Sequence, residues 1–243
     1  RSGDMKRLRP WDAQPLDGPQ HWFSDPALLA TKVLGFRAQA GDPGTPAIDI
    51  AVLGSFDPQR YVFRMVLPVE AADQPETVLQ LAQDALAEFP LASGYCGYSL
   101  LWDRDPSVDA AVCDWAAPLL HRHPGLGYGK PVSIANASEK GLAVVSWLTL
   151  LGPDMTAALG GVEAGAQDAP DEVSVLPLGP GGALVRAGTA PALGDLNRQD
   201  PLPLYHAVGR MVAPVVAPDD ALDEVAVDGM EGDDAYEWLR RFF

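Results

Sequence analysis

Apolar and polar residues alternate most clearly in the stretch that follows Gly182. Leu184 and Arg186 would point to one side of an extended chain and Val185 to the other, which is the pattern of a half-buried β-strand. We therefore predict a strand from Ala183 to Ala187.

The GDLN tetrapeptide at residues 194–197 predicts a tight corner after this strand. Gly194 can adopt a positive φ, and the short side chains of Asp195 and Asn197 can bond the backbone just ahead of them. Together with Arg198 and Asp200, these residues form the densest polar cluster of the chain, which could bind a ligand or act in acid–base steps. Turns and caps require the same residue types, so a purely structural corner is the competing interpretation.

Beyond the corner the apolar residues recur at helical spacing. Asp200 occupies a position typical of an N-cap and Pro201 the first helical position, so we predict a helix from there to Pro214. Its two faces differ in polarity: the apolar face carries Tyr205, Val208, Met211 and Val212, and the other carries His206 and Arg210.

The same patterns predict further elements along the chain. They are a β-hairpin at residues 48–52 and 61–67, helices at 75–89, 108–120, 154–159 and 233–242, strands at 94–102, 144–151 and 173–176, and an irregular acidic segment at 163–172. Strands and helices mix without a strict βαβ alternation. We predict an α+β fold with mixed, mainly antiparallel sheets packed by amphipathic helices, followed by an acidic C-terminal segment.

Domain organisation follows from length and composition. The 243 residues, 47% of them hydrophobic, suffice for one large core, and we predict a single α+β domain at residues 47–243. Residues 5–46, rich in Pro, Gly and aromatics, predict an N-terminal arm with a short helix at 25–34. Residues 1–4 resemble a remnant of recombinant expression, and Met5 is the expected natural start. An apolar membrane span and a signal peptide are both missing from the sequence, so we expect a cytoplasmic protein.

The formal net charge of −16 bears on partners. It disfavours direct binding to nucleic-acid phosphates and favours a basic partner, although acidity also simply promotes solubility. The acids crowd together, without a Lys or Arg between them, at Asp219, Asp220, Asp223, Glu224, Asp228, Glu231, Asp233, Asp234 and Glu237. We predict that this segment forms part of a partner-binding surface, with Tyr236 and Trp238 as hot-spot candidates if they do not belong to the core. A solvated tail is the alternative.

Other candidate chemistry is weak. HPGLGYGKP at residues 123–131 has the wrong spacing for a phosphate loop, and Pro131 stands where a metal-binding hydroxyl is required. His121 and His123 lack a third metal ligand at helical spacing, and Cys96 and Cys113 lack zinc or disulfide spacing. Cys96 also misses the nucleophile-elbow pattern, so we expect no metal, cofactor or catalytic residue.

Four segments together resemble the type VI secretion immunity family that is associated with VRR-NUC nuclease effectors. They are HPGLGYG at 123–129, VSWLTLLGPDMTAALGG at 145–161, LVRAGTAPALGDLNRQDPLPLYHAVGRMVAP at 184–214 and WLRRFF at 238–243. The resemblance implies a cytoplasmic, non-enzymatic protein that binds a toxic nuclease and blocks its active or DNA-binding site, without itself contacting nucleic acid or membrane. It implies structural roles for His123, Pro124, Gly125, Trp147, Gly188, Gly194, Asp195, Asn197 and Arg198.

A small-molecule enzyme or ligand-binding protein remains the alternative function. Its site would be the corner at residues 195–200, and it requires a deep pocket beside that corner.

Overall fold

The computed structural model describes residues 36–41, 46–54, 61–100, 106–127, 131–225, 227, 229–230 and 232–243. The helix predicted at residues 25–34 lies outside the described residues, as does most of the predicted arm.

A three-stranded antiparallel sheet contains the predicted hairpin. Strand β2 (Pro46–Gly54) pairs with β3 (Tyr61–Val66), which confirms the hairpin. Strand β1 (Phe36–Gly41) pairs with the other edge of β2, in a part of the chain where the pattern predicted no strand.

The second sheet has four antiparallel strands in the order β4-β5-β7-β6. They are β4 (Ser93–Cys96), β5 (Leu148–Leu151), β6 (Val173–Leu178) and β7 (Gly182–Ala187). The fold is therefore α+β, as predicted. Strands β4 and β5 are shorter than their predicted ranges.

Strand β7 is buried on both faces, so the prediction of a half-buried strand was wrong. Leu184 is 0% and Val185 1% exposed, although they point to opposite sides. The strand lies inside the sheet between β5 and β6, and helices cover it as well. Arg186 suggested that one face of the strand is exposed, but this residue lies at the end of the strand and is itself partly buried.

Eight α-helices occur in the described part of the chain. They are α1 (Pro75–Leu86), α2 (Pro106–Arg122), α3 (Pro131–Ala137), α4 (Pro153–Ala158), α5 (Gly161–Asp168), α6 (Pro203–Val212), α7 (Asp219–Leu222) and α8 (Asp233–Leu239). The predicted helices correspond to α1, α2, α4, α6 and α8. Helices α3 and α7 were not predicted, and α5 occupies the beginning of the segment that was predicted to be irregular.

Helix α6 begins two residues later than predicted. Asp200 is not its N-cap, because the backbones of Asp195 and Asp200 pair with each other at 3.1 Å in both directions and close the corner. Leu202 is the N-cap residue instead, with φ 57°, and Pro203 takes the first position. The predicted faces are confirmed, since Tyr205, Val208 and Val212 are buried.

The buried side chains form two hydrophobic clusters. The first joins the four-stranded sheet to α1 and α6 and includes Trp147 and Phe242. The second joins α2, α3, α7 and α8 through Leu120, Leu222 and Trp238. None of the described helices is long and apolar enough to cross a membrane.

Candidate functional site

The acidic segment is folded onto the second cluster. Its apolar residues are buried, namely Ala221, Leu222, Val225, Val227 and Met230. Its acids are exposed on α7 and α8, and we call Asp219, Asp220, Asp223, Glu224, Asp233, Asp234 and Glu237 the acidic surface. The segment is therefore folded rather than a free tail, although its carboxylates face solvent. Asp228 and Glu231 lie outside the described residues.

Tertiary packing brings bases to three of these acids. Arg240 contacts Asp219 at 2.6 Å, Lys140 contacts Asp220 at 3.1 Å, and His121 contacts Asp234 at 3.1 Å. The segment thus has no basic residue in its own sequence, but basic residues from other parts of the chain lie beside it in the fold. Among the residues of the acidic surface, Asp223, Glu224, Asp233 and Glu237 make no ion pair in the described part of the chain, so their charge is uncompensated.

Asp219 ties α7 to α8. A hydrogen bond with its carboxylate raises the pKa of the Tyr236 phenol, and the Arg240 guanidinium lies 5.7 Å from the centre of the Tyr236 ring. Tyr236 is only partly buried, so it remains a candidate for contact with a partner.

Trp238 does not remain a candidate. It is 4% exposed, and its indole N–H donates to Leu120 O at 3.4 Å. The Arg241 guanidinium stacks 3.6 Å from its ring centre. Trp238 therefore belongs to the core, which removes it from the hot-spot candidates.

The corner at residues 194–200 is held by one carboxylate. Asp195 accepts from Arg122 Nε at 3.1 Å, from Arg122 Nη2 at 2.7 Å and from the backbone N–H of Asn197 at 3.0 Å. Arg198 lies 3.6 Å away on the same carboxylate. The hydrogen bond from Arg122 is the main cause that lowers the pKa of Asp195 to about 2. This carboxylate is committed to the 3-10 helix Leu196–Arg198 and to the end of α2.

The turn at His123–Gly125 packs against the same corner. His123 Nδ1 donates to Gly194 O at 2.7 Å, and Gly125 N donates to Leu193 O at 2.8 Å. A Cβ at Gly125 would lie 2.0 Å from the carbonyl oxygen of Ala192, so only glycine fits there. Pro124 O accepts from Arg241 Nε at 2.7 Å, which joins the turn to the end of the chain described here.

Trp147 and Gly188 form a second junction. The indole N–H of Trp147 and the Nε–H of Arg186 both donate to Gly188 O, at 3.2 and 3.0 Å. Arg186 also pairs with Glu76 of α1 at 2.6 Å. Sequence reasoning did not identify Arg122, Arg186 and Arg241 as members of these junctions, because their partners are distant in the chain.

The residues weighed for catalysis have other partners in the structure. His121 binds Asp234 and His123 binds a backbone carbonyl. Burial raises the pKa of the Cys96 thiol to about 11, which makes it a poor nucleophile at neutral pH. In the part of the chain that the structure describes, no group of three His, Cys, Asp or Glu side chains could hold a metal ion.

Comparison with known proteins decides the family. The model of the family TsiV, "Type VI immunity for VRR-NUC", matches residues 5–242. The chain belongs to this family. None of the curated proteins matches this TsiV member significantly.

Among solved structures, the TsiV member is similar to the T6SS protein PA0821 of Pseudomonas aeruginosa. The TM-score is 0.77 at 21% sequence identity, and the match covers 95% of this chain and 66% of that chain. At this identity the likeness shows a common fold. The chain described here spans about two thirds of the length of that relative.

Proposed function

We propose that this protein binds a cognate type VI secretion effector with a VRR-NUC nuclease domain and neutralises it by occluding the active or DNA-binding site. Membership of the TsiV immunity family over residues 5–242 carries the proposal. The partner of such a protein is the effector, and nucleic acid and membrane are not required for the inhibition.

The acidic surface supports occlusion of a DNA-binding site. An enzyme that cuts DNA must bind phosphates, so its cleft carries Lys and Arg side chains. Asp223, Glu224, Asp233 and Glu237 present uncompensated carboxylates on a rigid, folded base, and such charges complement a basic cleft. We therefore propose that the acidic surface forms part of the interface.

We also infer that inhibition involves no catalysis by this chain. Asp195, the central carboxylate of the corner, is occupied by Arg122 and a backbone N–H. A cavity of about 370 Å³ lies elsewhere, between α4, α5, α6 and the sheet, and none of its lining residues belongs to the corner. No observation favours the enzyme or ligand-binding alternative at residues 195–200.

Because the target of a VRR-NUC nuclease is DNA, the inhibitor must be present where the DNA is. We infer a cytoplasmic location on this ground.

Co-expression with the effector tests the proposed function. The probe is a VRR-NUC nuclease effector, sought first among the genes next to that of this chain, and cells that make both proteins should survive where cells with the effector alone die. Since little free toxin can be tolerated, we expect a dissociation constant of about 1 nM or lower, equivalent to about −12 kcal/mol. Killing that continues at matched expression, or binding no tighter than about 1 μM, contradicts the proposal.

A further inference from the structure

An exposed tryptophan on α2 marks a second surface. Trp115 is 59% exposed, which is unusual for the side chain that gains most from burial. Among the described residues only five large hydrophobic side chains are exposed, and three of them belong to α2 or to the corner that α2 contacts. The other two on that side are Leu193 at 39% and Leu196 at 49%.

Helical geometry places Trp115 on the side of α2 that faces the corner. Trp115 and Arg122 are seven residues apart, which is nearly two full turns, so they lie on one line about 10 Å apart along the axis. Arg122 holds the Asp195 carboxylate between Leu193 and Leu196. We call Trp115, Leu193 and Leu196 the Trp115 face.

Hydrogen bonds fix the loop that carries Leu193 and Leu196 before any partner binds. Gly125 N and His123 Nδ1 hold the carbonyls of Leu193 and Gly194, and the paired backbones of Asp195 and Asp200 close the loop. Anchors that are already fixed lose little conformational entropy on binding, which favours affinity. Trp and Arg are also the residue types most often found at binding hot spots.

The exposed arc of α2 connects the Trp115 face to the acidic surface. Asp114 and His121 lie at one margin of the arc, Pro118 in the middle, and Trp115 and Arg122 at the other margin, roughly 120° away. At the first margin His121 binds Asp234 of the acidic surface. One partner that covers about 800 Å², a patch about 30 Å across, can therefore contact both surfaces over a single helix.

We propose that Trp115 is the hot-spot residue by which this chain docks its VRR-NUC effector, inserted into an apolar pocket on the rim of the effector's basic DNA-binding cleft. The inference rests on the proposed function and adds the location of the anchor. The acids at the other margin of α2 indicate the kind of partner: one that covers both surfaces meets the Trp115 face and the carboxylates together, so it must be basic next to its apolar pocket. The effector, as a DNA-cutting enzyme, has that chemistry.

Binding of a catalytically inactive form of the VRR-NUC effector from the co-expression experiment to four variants tests the inference. Trp115→Ala should raise the dissociation constant at least about 30-fold, mainly through faster dissociation. Leu196→Ala should raise it by a smaller factor. Val69→Ala and Leu81→Ala remove exposed hydrophobic side chains elsewhere, at 67% and 37% exposure, and should change it less than about twofold.

The outcomes separate the inference from the function beneath it. Failure of the wild-type protein to bind the effector would refute the proposed function. Wild-type binding that Trp115→Ala leaves within twofold, with an unchanged melting temperature, would refute the anchor alone. A dimer of the free protein that dissociates on Trp115→Ala would make this face a self-association surface and would also overturn the inference.

Discussion

At the scale of single residues, charge pairs set the shape of the corner. Its sequence, GDLN, predicts a turn but does not show which side chain stabilises it. In the structure Asp195 stabilises the turn, because two nitrogens of Arg122, at the end of α2, donate hydrogen bonds to its carboxylate. The Asn197 side chain has no hydrogen bond among the described residues, and only its backbone N–H contacts Asp195. The earlier expectation that both side chains support the turn therefore applies to Asp195 alone.

The contribution of Asp195 to the free energy of unfolding should depend on pH in a defined way. Its pKa is lowered from 3.8 to about 2 in the folded chain, so its contribution is complete above pH 4 and is lost as the pH falls towards 2. Urea unfolding of Asp195→Asn should show a lower free energy of unfolding than wild type at pH 7, and the difference should shrink between pH 4 and 2.

Asn197→Ala is the matched control and should stay within about 0.5 kcal/mol of wild type at every pH. A difference for Asp195→Asn that persists unchanged to pH 2 would show that its cause is not the charge. If Asn197→Ala lowered the free energy of unfolding as much as Asp195→Asn, the Asn197 side chain would also stabilise the turn.

At the scale of elements, periodicity predicted the long helices well because their apolar residues all face one core. Periodicity was less accurate for elements that are buried on more than one face and for elements that border a tight turn. The alternation in β7 predicted a strand with one exposed face, whereas both of its faces are buried. Helix α5 has the sequence GVEAGAQD, whose glycines and acids resemble a loop, although contacts with β6 and β7 hold it in place. The start of α6 was misplaced because the pairing of Asp195 with Asp200 is a backbone interaction.

Two helical glycines should respond oppositely to the same substitution. A Cβ at Gly209 of α6 would lie 1.8 Å from the Phe242 carbonyl oxygen, so Gly209→Ala should force α6 and the C-terminal residues apart. We expect a loss of about 2–3 kcal/mol or more in denaturant unfolding.

Gly165→Ala in α5 provides the comparison. Its Cβ would meet Val175 at an ordinary contact distance of 3.5 Å, and alanine favours the helix over glycine by roughly 0.5–1 kcal/mol. Equal effects at the two positions would mean that the close approach of α6 to Phe242 does not constrain the fold.

At the scale of the whole molecule, the sequence predicted the fold class and the family but not the surface. Net charge and the position of the acids can be counted in the chain, whereas their pairing with Arg240, Lys140 and His121 depends on tertiary packing. The exposure of Trp115 could not be foreseen either, since it follows the same helical spacing as its buried neighbours Ala116 and Leu120.

The uncompensated acids should accelerate encounter with the effector. Neutralising all four, as Asp223→Asn, Glu224→Gln, Asp233→Asn and Glu237→Gln, should slow association about tenfold at low ionic strength, with convergence on wild type as salt screens the charges. Stopped-flow association with the inactive effector measures both the rate and its salt dependence.

A charge-matched control alters four exposed acids elsewhere: Glu70→Gln, Asp154→Asn, Glu163→Gln and Asp171→Asn. This variant should retain most of the wild-type rate, because long-range net charge acts more weakly than charge beside the contact. Equal slowing in both variants would show that total charge steers encounter and would remove the acidic surface from the interface.

Residues 232–243 also determine when, during synthesis, the chain can complete its fold. They supply Trp238 and Leu239 to one cluster and Phe242 to the other, so neither cluster can close on a growing chain that lacks them. At about 5–20 residues per second, translation of this stretch of 243 residues alone takes roughly 12–50 s. Under the proposed function, no inhibitor emerges from a ribosome during that interval. A cell must therefore meet an incoming toxin with molecules finished beforehand, and its survival depends on the stock that it keeps.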